Sequence, residues 1–255
     1  MLVCLTSLNL DPLSVIGLTA IILLVVAVQS MFGVGVLFLG TPILLFLGFS
    51  IVDTLEILFP ISLLISGIQV AVGWKDVQWK AVKTFVLYAL PFAVIGTLLL
   101  KVVVNSAMFP LAVAIYLMIV ALGFYFRLFP GLILKLTSLE TLYLSIVGLM
   151  HGLTNLGGPL LTSYTLAKYP DKKQSRSTIA ICYGLFVIVQ IMTLRLSGLM
   201  FTLHDQCRIH SILALLVFVV MNKFVFLQIK DQLFRTVFGF LLLLMSVLLF
   251  IKYLA

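Results

Sequence analysis

Charge is scarce in this sequence. Asp and Glu number 8 and Lys and Arg 16 among 255 residues, so 9% are charged, against about 25% in an ordinary soluble domain. A surface this poor in ions excludes a soluble domain of that length. Cysteine is scarce as well: Cys4, Cys182 and Cys207 show no paired spacing, which argues against a metal site or a thiol relay and leaves each as a small apolar packing residue. The stretch before Leu13 has no Lys or Arg and so lacks the basic region of a cleaved signal; the chain from Leu13 onward reads as a retained first span. There is no H-E-x-x-H, no G-x-S-x-G and no G-x-x-x-x-G-K-[ST], so zinc-protease, serine-hydrolase and nucleotide-driven chemistry have no signature here. No cofactor or metal is implied.

Apolar residues fill the space that charge leaves, at 63% of the chain. Cut at polar and Gly/Pro punctuation, the sequence yields apolar segments at 13–31, 36–50, 55–73, 82–100, 107–126, 139–150, 156–167, 178–200, 209–221 and 233–254. At about 20 residues per span, this predicts an all-α integral membrane protein of about 8–10 transmembrane helices with no soluble domain. Numbering the connections alternately puts Lys101, Arg195, Arg208 and Lys252 on one side and the other twelve Lys and Arg on the opposite side. Basic residues are retained in the cytoplasm, so both termini are expected outside, on the periplasmic face of a bacterial inner membrane. The same bias explains the net charge of +8, and no basic face is left for nucleic acid.

The pattern repeats. Residues 1–127 and 139–255 each read as five segments, beginning with a pair split by glycine. Because five is odd, two such halves enter the bilayer from opposite sides, the inverted-repeat plan of many secondary transporters. The interruptions QSMFGVGVLFLGTP (29–42) and HGLTNLGGPLLTSY (151–164) align without a gap, pairing Gln29 with His151, Gly33 with Asn155 and Gly35 with Gly157. Segments beside the second interruption are too short for a hydrocarbon core of about 30 Å. A broken or re-entrant helical pair is therefore expected in each half.

Glycine lets backbone approach a ligand, and a helix starting after the break offers unpaired N–H groups and the positive end of its dipole. Such a cradle binds a small anion without a fixed positive charge. Gln29, Gly33, Gly35, His151, Asn155, Gly157 and Gly158 are the expected substrate-binding residues, although close helix packing explains glycine pairs equally. Asn155, Thr154, Thr162, Ser163 and Thr41 add donors around the breaks. Asp53, Glu56 and Arg195 are candidates for a proton or charge role. Asp53 also reads as a helix cap, and Arg195 as a side chain reaching for the surface. Pro60, Pro91 and Pro110 are candidate kinks. These residues point to a small-anion permease, with a channel, a carboxylate permease or an intramembrane enzyme using His151 as base as alternatives. Oligomeric state stays open, a homodimer included.

The chain resembles the TauE/SafE sulfite exporters. Gly33-Val34-Gly35 with Pro42 is similar to that family's first glycine-rich motif, and Gly152 to Pro159 is similar to its second. The loop GWKDVQWKAVKTF (73–85) resembles the family's basic connection after the third segment. Val36, Leu37 and Asn155 stand where further glycines are usual, and Tyr164 where proline is. The resemblance implies a non-enzymatic membrane permease that exports sulfite or a small organosulfonate such as sulfoacetate.

Overall fold

A computed structural model describes residues 12–103, 108–125, 139–198, 207–226, 236, 240, 243–248 and 250–252. Among these the chain is helical and has no strand. The first half contains α1 (Pro12–Phe32), α2 (Val36–Phe46), α3 (Ile51–Gly73) with a 3-10 turn Trp74–Asp76, α4 (Trp79–Tyr88), α5 (Leu90–Val103) and α6 (Phe109–Tyr125). The second contains α7 (Glu140–Thr154), α8 (Gly158–Lys168), α9 (Lys172–Leu196) and α10 (Cys207–Met221), which runs into a π turn Asn222–Phe226. The expected last segment falls largely outside the described residues, with an apolar helical stretch at Leu243–Lys252. Arg127, Lys135, Lys230 and Arg235 of the charge count also lie outside them.

Local chemistry sets the helix ends. Ser50 caps α3: its hydroxyl oxygen accepts the Asp53 N–H at 3.1 Å and the hydroxyl donates to the Asp53 carboxylate at 2.6 Å, an N-cap that starts α3 earlier than the expected Leu55. Asp171 does the same for α9, accepting the N–H groups of Lys173 and Gln174 at 2.9 Å each. That cap starts α9 at Lys172 rather than the expected Thr178, so Arg176 is helical and buried instead of lying in a loop. α2 ends in a Schellman turn. Gly48 has φ 96°, Phe49 N–H bonds to Leu44 O and Gly48 N–H to Leu45 O, each at 3.0 Å.

The expected span 82–100 is two helices, α4 and α5, bent by 42°. Pro91 at the start of α5 has no N–H with which to continue the ladder, so the bend falls beside it. Among the described residues, Ile51–Asp76 and Lys172–Leu196 are long and apolar enough to cross a membrane, and α4 with α5 forms a third, bent candidate. The about 8–10 spans expected are not matched one for one by long helices, because the breaks shorten their neighbours.

The two long helices, α3 and α9, pack together extensively. Gly73 lies against Ser177 and Gly184 against Ser66, so the two run antiparallel. α5 packs on α7 through small residues: a Cβ on Gly152 would overlap the Ala93 carbonyl, and one on Gly148 would overlap Ala89. Such contacts let membrane helices approach backbone to backbone. Reciprocally, α1 of the first half packs on α10 of the second. Helix ends also sort by face. Lys101 of α5 donates to the Ser197 carbonyl after α9. At the opposite end of α9, Thr178 Oγ1 accepts the Gln78 N–H at 2.9 Å. Lys252 donates to Phe46 O at 2.6 Å and Leu45 O at 3.0 Å, so that lysine lies at the end of the fold where α2 ends and α3 begins.

Candidate functional site

Each glycine break folds back on the helix before it through matching contacts, although Gly35 (φ 171°, ψ −55°) and Gly157 (φ −67°, ψ −14°) reach them with different backbones. Gly33 (φ 77°) and Asn155 (φ 63°) both adopt the left-handed conformation, and Asn155 is the one non-glycine residue with positive φ among the described residues. Their N–H groups close the last helical turn on Gln29 O at 2.9 Å and His151 O at 2.7 Å. Two residues on, a Cβ at Gly35 would sit 2.7 Å from Gln29 Cα and 2.9 Å from Val25 O; a Cβ at Gly157 would sit 2.5 Å from His151 Cβ and 2.8 Å from Val147 O. The spacing that pairs Gly35 with Gly157 therefore also pairs Gln29 with His151, Val25 with Val147 and Gly33 with Asn155.

The breaks also meet. Asn155 Nδ2 donates to Thr41 Oγ1 in α2 at 2.8 Å. A Cβ on Gly158 would lie 3.3 Å from Val34 Cβ and 3.2 Å from the Tyr183 hydroxyl oxygen. α2 and α8, 11 residues each, begin at these breaks, so their first-turn N–H groups start where the two halves touch. Leu156 O in the second break accepts from Tyr116 of α6 at 2.8 Å, and Leu156 N–H donates to Thr154 Oγ1 at 3.3 Å. Unwound backbone is thus held by protein rather than left to lipid.

The polar side chains beside the breaks differ in their commitments. Gln29 is fully buried; its Nε2 donates to Ser62 O and Ser66 Oγ, both at 3.1 Å, and its Oε1 accepts the Val36 N–H at 3.0 Å. Gln69 Nε2 adds a bond to Gln29 O at 2.8 Å. Ser62, Ser66 and Gln69 share one face of α3, and the cluster pins α1, the start of α2 and α3 together. His151 is equally buried, yet neither ring nitrogen closes a well-formed hydrogen bond, with the Gln190 side chain beside the ring. Its ring stacks on Phe186 at 4.0 Å and 14° and meets Tyr183 at 5.5 Å and 60°. Gln190 Nε2 donates to His151 O at 3.3 Å. The buried oxygens of Asn155 (Oδ1), Thr162, Tyr183 and Gln190 (Oε1) are likewise without partners.

Of the residues expected from sequence, Gly158 meets Val34, between Gly33 and Gly35, and Asn155 meets Thr41, whereas Gly35 packs on Gln29, Gly157 on His151, and Gly33 on Arg176 and Ile179 of α9. Asp53 is not itself the cap of α3 but the third helical residue, bonded to the Ser50 cap, and Glu56, half-buried, follows one turn later. Arg195 is exposed in the last turn of α9. Sequence reasoning missed Tyr183, Phe186 and Gln190 on one face of α9, and the Ser62, Ser66 and Gln69 stripe of α3. The helical spacing of each stripe was the available signal. Arg176 was also missed; it donates from Nη1 to Ser30 O at 3.2 Å and Asn222 Oδ1 at 2.8 Å.

Residues 18–249 match the family model described as Sulfite exporter TauE/SafE. Neither the curated proteins nor the solved structures contain a similar chain at a significant level.

Proposed function

The chain belongs to the TauE/SafE sulfite exporter family, and from that premise we propose that it is a secondary permease that exports a small sulfur-containing anion, such as sulfite or sulfoacetate, across the bacterial inner membrane. Membership makes it a multi-pass membrane transporter of sulfur-containing anions; the substrate, direction and mechanism belong to the proposal. One observation carries the site: two glycine breaks, each opened by a left-handed residue and folded back on the helix before it, touch, and each starts a short helix at the contact. Gly33, Gly35, Gly157 and Gly158 supply backbone access, His151 and Asn155 supply side chains, and Gln29 holds the first break in shape. A sulfite or sulfonate group offers several acceptor oxygens to such converging donors.

The halves are proposed as inverted repeats, 1–127 and 139–255, that rock against each other around the site. The antiparallel packing of α3 on α9 supports inversion, since these long helices correspond in the repeat. With both termini outside, Lys101, Arg195 and Lys252 share the outer face, a grouping supported by the contacts of Lys101 with Ser197 and of Lys252 with the end of α2. Membrane-impermeant labelling of single cysteines introduced at Lys75 and Lys252 tests this sidedness.

Counterflow in proteoliposomes tests the function. With unlabelled sulfite or sulfoacetate inside, labelled anion outside should accumulate transiently and saturably. A flux that does not saturate would mean a channel, and no flux of either anion in folded protein would remove the sulfur-anion reading. Glu56 and His151 are the groups for a coupled proton; substitutions at both that leave flux and its pH dependence unchanged would dismiss coupling.

A further inference from the structure

The two breaks share a left-handed turn and the same fold-back contacts but not a chemistry. At the first, every polar atom of the Gln29 amide is engaged by protein, and Gln29 Oε1 takes one of the N–H groups at the start of α2. At the second, the buried imidazole of His151, beside the Gln190 side chain, and the hydroxyl of Tyr183 close no well-formed hydrogen bond with protein. Folded proteins rarely strand fully buried polar groups without a use for them.

Tyr183 stands where the two short helices begin. Its hydroxyl oxygen faces a Cβ position on Gly158, the first residue of α8. It also lies toward the backbone amide of Phe38 in the first turn of α2, without closing a well-formed hydrogen bond. The spacing that superimposes the breaks puts Ile61 of α3 at the position matching Tyr183, and Ile61 is buried in the core. At the matching position the first half carries no hydroxyl.

We propose that Tyr183, between the first turns of α2 and α8, is an anion-binding residue that donates its O–H to the substrate, so that side-chain recognition belongs to the second break while the first is a strut. This rests on the permease reading above. A tyrosine hydroxyl is both donor and acceptor, and an oxyanion seated there receives one O–H besides the amides of two helix N-termini. His151 forms the neighbouring polar wall. Gln190, bonded to the His151 carbonyl, is a positioning residue that acts through His151.

The experiment compares Tyr183→Phe and Gln29→Leu with the parent in two assays: sulfite counterflow in proteoliposomes, and the rise in unfolding temperature that sulfite causes in detergent, which reports binding directly. Tyr183→Phe removes a hydroxyl with no protein partner, so its unfolding temperature without sulfite should equal or exceed the parent's. Its half-saturation concentration should rise at least about tenfold, since one charge-assisted hydrogen bond is lost, and the sulfite-induced shift should shrink in step. Gln29→Leu should instead lower the unfolding temperature without sulfite. Tyr183→Phe with the parent's half-saturation and sulfite shift overturns the inference alone, as does a Tyr183→Phe protein destabilised like Gln29→Leu. A parent that neither moves nor is stabilised by sulfite or sulfoacetate overturns the proposed function instead.

Discussion

Gln29 Oε1 accepts the Val36 N–H at 3.0 Å, so a side chain in the last turn of α1 caps the helix that begins beyond the break. Ordinary N-caps are Ser, Thr, Asp or Asn just before the helix. Here the cap comes from seven residues upstream, because Gly33 and Gly35 fold the chain back over Gln29. Gln29→Leu leaves the Val36 N–H without its cap and removes one donor each from Ser62 O and Ser66 Oγ, at about 1–3 kcal/mol for a buried group left unpaired. The measurement is unfolding temperature in detergent, which should fall by several degrees or more. An unchanged value would mean that the α2 amides do not depend on Gln29.

Glycine breaks separate close approach from conformational freedom. At Gly157 φ is −67°, which any residue adopts, but a Cβ would come within 2.5 Å of His151 Cβ. Gly157→Ala must push α8 away from α7, an overpacking cost of about 1–3 kcal/mol, and transport should fall more than tenfold. Gly67→Ala is the control. Nothing lies within 4 Å of that Cβ position, and alanine favours a helix interior over glycine by about 1 kcal/mol, so stability should hold or rise. Transport rates and unfolding temperatures of the two variants, measured side by side, check both expectations.

Asn155 stands where the family motif favours glycine, and its left-handed backbone explains the exchange: asparagine tolerates positive φ better than other non-glycine residues. Asn155→Gly should keep the break folded while losing the bond to Thr41, and Asn155→Ala should be less stable than Asn155→Gly by roughly 1–2 kcal/mol. Thermal unfolding of the pair decides it. Equal stability would mean that conformation is not what selects this residue.

The features legible in sequence were those written in glycine, asparagine and proline. The interruptions, their gapless pairing and the short helices beside them follow from residues whose backbone behaviour is distinctive. Tyr183 and Gln190 were not legible in the same way, since their helical spacing marks a shared face of α9 without saying what that face meets. Arg176 was hidden by its neighbours: Lys172 and Lys173 made the stretch read as a basic loop, whereas the Asp171 cap makes it the start of α9. The bend between α4 and α5 was legible as the candidate kink at Pro91, but not as a division of the span into two helices.

Glu140 and Lys168 close the far end of the second hairpin. Lys168 Nζ lies 2.5 Å from Glu140 Oε1 and 3.0 Å from the Tyr164 hydroxyl, and Tyr164 donates to the same carboxylate oxygen. The acid sits in the first turn of α7 and the base in the last turn of α8, each favourable to its helix dipole. The side chains are 27% and 28% exposed, so solvent screens the pair and about 1 kcal/mol is a fair expectation for it. Glu140→Gln and Lys168→Met should each lower the unfolding temperature by a few degrees, and the double variant should lose less than the sum of the two, because either substitution alone already breaks the pair. The charge swap Glu140→Lys with Lys168→Glu restores attraction but opposes both dipoles, so it should recover only part of the loss. None of these changes touches the breaks at the other end of α7 and α8, so the half-saturation concentration for the anion should stay at the parent value; a severalfold change in it would show that the far end of this hairpin is coupled to the site.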